Sequence, residues 1–247
     1  IQNKNFSWFS DFSLSHNREK IKELASGQLK DEANAWFVGE PFKVFYDYKK
    51  EGIWQLGEEA AAAANGQEPG DIKVQDVDGN GVITTDDRII YSQRPDVTFG
   101  FNNTFNYKGF DLSVFLYARL GQWIAYDYNT TYRINALENG GNVDYWTPEN
   151  PTNAFPCPNK SKSYTQVTYY STLKYEDGSF FKIRDITLGY TFKPELLKHL
   201  NLSKLRVYAT AKNFFTFSKI DNYDPEQGGS ISFPMTKQLV FGLNVEF

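Results

Sequence analysis

The sequence predicts an all-β, antiparallel fold: a series of transmembrane strands forming part of a larger β-barrel. Three observations carry that expectation. Alternating segments recur along the chain, and several reach the roughly 9–11 residues that a tilted strand needs to cross a bilayer. Aromatic residues make up 17% of the 247 positions, with 16 Tyr and 21 Phe against a single Met. Such side chains suit a pleated, half-buried surface. The connections switch between short and long, as in barrels with tight turns at one rim and long loops at the other.

Taken in order, Asn5–His16 places Phe6, Trp8, Phe12 and Leu14 in one set, and Phe42–Lys49 does the same with Val44, Tyr46 and Tyr48. Val97–Tyr107 alternates Val97, Phe99, Phe101, Phe105 and Tyr107 against Thr98, Gly100, Asn102, Thr104 and Asn106. After the tight turn Tyr107–Lys108–Gly109, Phe110–Leu120 sets Leu112, Val114, Leu116 and Ala118 against Asp111, Ser113, Tyr117 and Arg119. Phe181–Phe192 alternates in its lower half, and Lys182–Arg184–Asp185 breaks the register, which predicts a bulge or a strand top above the membrane. Ser203–Phe217 alternates Leu205, Val207, Ala209 and Ala211 with charged and hydroxyl residues. Lys237–Phe247 ends the chain with Leu239, Phe241, Leu243, Val245 and Phe247 on one face; Val240 is the only apolar residue on the other. That makes about seven strands.

The long connections are Lys50–Asp96, Gly121–Ser179 and Ser218–Thr236. A C-terminus in the periplasm puts all three outside the cell and Asn17–Pro41 on the periplasmic side. About seven strands cannot close a transport-sized barrel, and open edges facing lipid are not tolerated. Either the rest of the barrel lies upstream or the chain is a soluble β protein. The start at Ile1, with neither Met nor signal peptide, reads as a fragment.

No run of 18 apolar residues occurs and mean hydropathy is −0.53, so no transmembrane helix is expected; strands that face lipid on one side alone keep hydropathy low. A net charge of −4 argues against a nucleic-acid partner, which needs a basic face. The lone Cys157 forms no internal disulfide and has no ligand-like neighbours. GxSxG, HExxH, P-loop and Rossmann patterns are absent from the sequence, and no enzymatic activity is expected.

One motif carries metal chemistry. Asp76–Asp87 matches a twelve-residue EF-type calcium loop. Asp76, Asp78 and Asn80 offer side-chain oxygens at positions one, three and five. Gly81 allows the sharp turn at six, Val82 offers a carbonyl at seven, Thr84 stands at nine and Asp87 closes at twelve. Hard oxygen ligands on a flexible loop suit structural Ca²⁺; the competing reading is an Asx-rich turn bonding its own backbone. No EF-hand helices flank it: Gly70–Val74 reads as strand, and Glu58–Asn65, with its alanine run, as a short helix in the same loop. In the Pro-rich stretch Tyr145–Pro158, Trp146 and Phe155 are the candidates for stacking on a sugar or peptide, against the simpler role of pinning the loop. Arg119, Arg184, Arg206 and Lys212 could meet anionic solutes in a lumen, or form salt bridges facing a plug.

Several stretches together resemble the SusC/RagA-like, TonB-linked outer-membrane transporters: Trp54–Ala60, Pro69–Arg88, Phe99–Phe115, Tyr145–Asn153, Asp177–Phe192 and Val207–Phe217. The resemblance runs over most of the chain from Trp54. It implies that residues 1–247 are the C-terminal portion of a plugged barrel of about 22 strands in a Gram-negative outer membrane. Residues 50–96, with the calcium loop 76–87, and residues 121–179 then form extracellular loops. It further implies TonB-driven import of oligosaccharide or peptide with a SusD-like surface lipoprotein, contact with outer-membrane lipid, and Phe247 as the signal for the barrel-assembly machinery. Plug, TonB box and signal peptide belong upstream. The competing function is a soluble, calcium-stabilised β module that binds glycan. A second sheet would then have to bury Leu239, Phe241, Leu243 and Phe247.

Overall fold

The computed structural model describes residues 1–25, 27–138 and 140–247. Six long strands dominate: β1 (Phe6–Ser15), β2 (Val97–Tyr107), β3 (Phe110–Leu120), β4 (Phe180–Thr191), β5 (Lys204–Ser218) and β6 (Gln238–Glu246). They form one sheet in chain order, each antiparallel to its neighbour. Among the described residues no helix is long and apolar enough to cross a membrane.

Cross-strand register makes the sheet two-faced, because paired residues point the same way. One face aligns Phe12, Phe101, Leu116 and Ile183, then Leu188, Ala209 and Phe241. Asn103 and Ser10 are polar residues on this face, and the Trp8 indole N–H donates to the Asn103 side chain at 3.0 Å. The opposite face carries Asn102, Ser113, Asp111, Thr187, Arg206, Thr210 and Lys212. Here Arg206 on β5 reaches over β4 to Asp111 on β3, its Nε 2.9 Å from Oδ1. Gly189 makes that reach possible, since a Cβ there would lie 2.6 Å from both partners. The expected break in β4 is present as a register shift between Ile183 and Asp185.

β2 and β3 join through Lys108 and Gly109, with φ of 48° and 93°. Positive φ at both central positions is the primed hairpin geometry that matches strand twist. β4 and β5 join through a short helical turn beginning at Pro194. The long connections, residues 16–96, 121–179 and 219–237, all lie at the opposite end.

The structure corrects one strand. Phe42–Lys49 does not enter the sheet: Val44–Tyr48 pairs with Arg88–Ser92 among the long connections. At 5 residues it spans roughly 17 Å at about 3.4 Å per residue, too little to cross a core of about 30 Å. Asn17–Pro41 therefore belongs to the first long connection, at the same end as the other two, and not to the rim with the short turns. The sheet has six strands where the sequence suggests about seven.

The long connections fold on one another. Ile53, Ile72 and Val74 from the first pack with Tyr132, Ile134, Trp146, Val167 and Leu173 from the second in one buried cluster. Ile124 and Tyr126 from the second pack with Ile220 from the third. The helix at Glu59–Ala64 forms as expected and buries Ala62.

Candidate functional site

Asp76, Asp78 and Asp87 come together, with one carboxylate oxygen of each within 4.8 Å of the others. Backbone geometry holds them there. Gly79 and Gly81, at φ 73° and 84°, turn the chain so that the Gly79 and Gly81 N–H groups each donate to Asp76 at 2.7 Å. Asp78 accepts from the Asn80 N–H at 3.0 Å, and Asn80 Oδ1 accepts from the Val82 N–H at 2.8 Å. Asp87 is fully buried and accepts from the Val77 N–H at 2.8 Å and the Thr84 N–H at 2.7 Å. The Thr84 donation holds the Asp87 carboxyl below the usual carboxylate range, against the opposing pull of burial. Thr84 caps the following helical turn, its hydroxyl accepting the Asp86 N–H at 3.2 Å.

The Asx-turn network of the simpler reading is therefore present. It also does what a cation site needs: it converges three carboxylates from positions one, three and twelve. Three like charges so close repel unless opposite charge offsets them, and oxygen ligands alone suit a hard cation. The residues present fit that group. Val82 is exposed, and Ile83 anchors the loop against the buried cluster.

A second charged centre lies where the third connection meets the polar face of the sheet. Lys182 on β4 has no solvent exposure and donates to Asp224 at 2.6 Å and Glu226 at 2.8 Å. Arg184 adds a contact to Glu226 at 3.1 Å. Lys182 is visible in the sequence as a charge that breaks an alternating strand. Asp224 and Glu226 carry no such signal.

The aromatic candidates divide. Trp146 is 4% exposed inside the buried cluster, its indole N–H donating to Gln55 Oε1 at 2.8 Å. With both ring faces covered it pins the connection and cannot stack on a ligand. Phe155 is half-buried and packs edge-on against Tyr132, with centroids 5.2 Å apart. The basic candidates are engaged within the protein: Arg206 with Asp111, Lys212 with Asp185 at 3.6 Å, and Arg119 Nε with the Tyr117 hydroxyl at 2.8 Å.

No protein-family model matches the chain. Among curated proteins it is 30% identical over 284 residues to the TonB-dependent receptor P3 of Formosa agariphila, covering all of this chain and 27% of that receptor. It is 28% identical over 270 residues to the TonB-dependent receptor SusC of Bacteroides thetaiotaomicron, covering all of this chain and 25% of SusC. Among solved structures, the RagAB peptide transporter matches with a TM-score of 0.75 at 23% identity, covering the whole chain and 28% of the solved one. The RagAB peptide importer in its open-open state matches with a TM-score of 0.70 at 25% identity, covering 27% of that chain. The chain thus spans about a quarter of the length of the proteins it matches. The two-faced antiparallel sheet, the long connections gathered at one rim and the full-length similarity agree: this chain is similar over its whole length to a segment of the transmembrane β-barrel of SusC/RagA-like TonB-dependent receptors.

Proposed function

We propose that this chain forms part of the wall and the outer vestibule of an outer-membrane importer. The importer takes up oligosaccharide or peptide nutrients, is driven by TonB through regions outside these residues, and works with a SusD-like surface lipoprotein at the long-connection rim. The observation that carries the reading is the apolar face of the sheet. Leu239, Phe241, Leu243 and Phe247 are 62%, 77%, 68% and 94% exposed, and no second sheet covers them among the described residues. Water does not favour such a face, and hydrocarbon does. A soluble glycan-binding module needs that face buried, so the observation weighs against it.

Fractionation of the native source tests the reading. The chain is expected within a longer polypeptide, in the outer membrane and extracted only by detergent. Recovery as a complete, monodisperse, water-soluble protein would overturn it. Substitution tests the same point. Leu243→Arg, on the apolar face, should cost about 2–4 kcal/mol if it meets the bilayer midplane, read as lowered folding stability in lipid. Asn244→Arg, on the polar face, should cost little. Equal effects would remove the distinction between a lipid face and a lumen face.

We assign the Asp76–Asp87 loop to a structural Ca²⁺ held by Asp76, Asp78, Asn80, the Val82 carbonyl, Thr84 and Asp87. The ion would offset the repulsion among the carboxylates and stiffen the first long connection. Calorimetry of the full-length receptor from chelated buffer should show calcium binding that is lost in Asp76→Asn/Asp78→Asn. Absence of binding heat in the unmodified receptor at several temperatures would sink the assignment.

A further inference from the structure

A cavity of about 250 Å³ is lined by residues of all three long connections. Lys50, from the first connection, and Glu176, from the second, both line it. Both are half-buried, and burial pushes the Lys50 ammonium down and the Glu176 carboxyl up from their ordinary values. Among the described residues each has a neutral hydrogen-bonding partner and no charged one. Lys50 Nζ donates to the Ala154 carbonyl, and Glu176 Oε1 accepts from the Asn129 amide at 3.0 Å. The two sense each other's charge, yet they form no ion pair within 4.0 Å.

The neighbouring charges behave differently. Lys219 and Asp177, also on the wall, pair with each other at 3.1 Å. A structural ion pair would be expected to close in the same way, because a buried charge with only neutral partners is costly. Lys50 and Glu176 instead both line the cavity without closing on each other. One side of the cavity is aromatic: Tyr91 packs edge-on against Trp123 with centroids 4.8 Å apart, and stacks on Tyr175 at 5.2 Å. An apolar wall with a few convergent polar groups is the usual make-up of a small-molecule site.

We propose that this cavity binds a small dipolar ligand, an amino acid or dipeptide, with its carboxylate at Lys50 and its ammonium at Glu176. The volume falls below the roughly 300–1,000 Å³ of drug-sized sites, which fits such a ligand better than a sugar chain. A neutral sugar would also leave both half-buried charges without a counter-charge. The inference rests on the import reading and gives it a substrate class.

Titration calorimetry on the full-length receptor in detergent tests it with four probes: Ala-Ala, N-acetyl-Ala-Ala, Ala-Ala amide and maltose. Ala-Ala should bind saturably, and capping either end should weaken binding at least tenfold. Lys50→Met should erase the preference for the free carboxylate, and Glu176→Gln the preference for the free amine. The capped probes on the unmodified receptor give the answer even where a variant fails to fold. Equal affinity for capped and uncapped dipeptide, no binding of Ala-Ala, or tighter binding of maltose would each overturn the site. Outer-membrane fractionation and TonB-dependent uptake are separate readouts, so import can stand while the dipolar site falls.

Discussion

Lys182→Met is expected to release the third connection from the polar face of the sheet and to lower stability by about 3–5 kcal/mol, the usual cost of removing one partner from a buried ion pair. Methionine keeps much of the length and removes the charge. Asp224 and Glu226, at 11% and 10% side-chain exposure, would then face each other with only Arg184 left to offset Glu226. The segment can relieve this only by moving into water, taking its Pro225–Gln227 turn with it. Limited proteolysis of the receptor in detergent reads the effect directly: residues 219–237 should become cleavable while the strands stay protected. Adding Asp224→Asn and Glu226→Gln to Lys182→Met should restore part of the loss, since the triple variant leaves no buried charge unpaired. An unchanged cleavage pattern in Lys182→Met would mean that the three charges do not hold the connection.

Trp146→Ala should have an effect of similar size elsewhere. Truncating a buried Trp costs about 3–5 kcal/mol through lost transfer energy and the cavity left behind. Gln55 Oε1 would also lose its indole donor. The cluster has few members to redistribute, Ile53, Ile72, Val74 and Leu173 among them, and Gly70 offers no side chain to fill the gap beneath the ring. The expected result is selective: loss of near-ultraviolet circular dichroism and new cleavage in residues 121–179, with the β-sheet signal retained. A uniform fall in sheet signal would show that the connections and the sheet unfold together.

The six spanning strands are legible in the sequence because their two faces meet different surroundings, and period-2 alternation records that difference directly. The bulge near Lys182 is legible for the same reason, as an interruption of the alternation. Phe42–Lys49 shows how the signal misleads. Its alternation is real, but it reflects pairing with Arg88–Ser92, and the 5-residue length of the strand separates it from the spanning strands more reliably than its pattern does. The acidic loop is legible because its donors lie within twelve consecutive residues. The interior of the packed long connections is not, since its partners lie far apart without periodicity. Gln55 meets Trp146 across 91 positions, and Lys182 meets Asp224 across 42. Trp146 consequently reads in the sequence either as a stacking aromatic or as a pin for its loop, and only its burial shows it to be a core residue.

The shared cluster of the first and second connections bears on how sequences of this kind can diverge. Each connection holds half of a jigsaw, with Ile53 and Ile72 on one piece and Trp146 and Leu173 on the other. Grafting one of them from a divergent relative would set mismatched halves together, leaving voids or clashes where the pieces meet. The two connections should therefore be inherited, and exchanged by an engineer, as a matched set, with retuning of one tolerated only where the other has already made room.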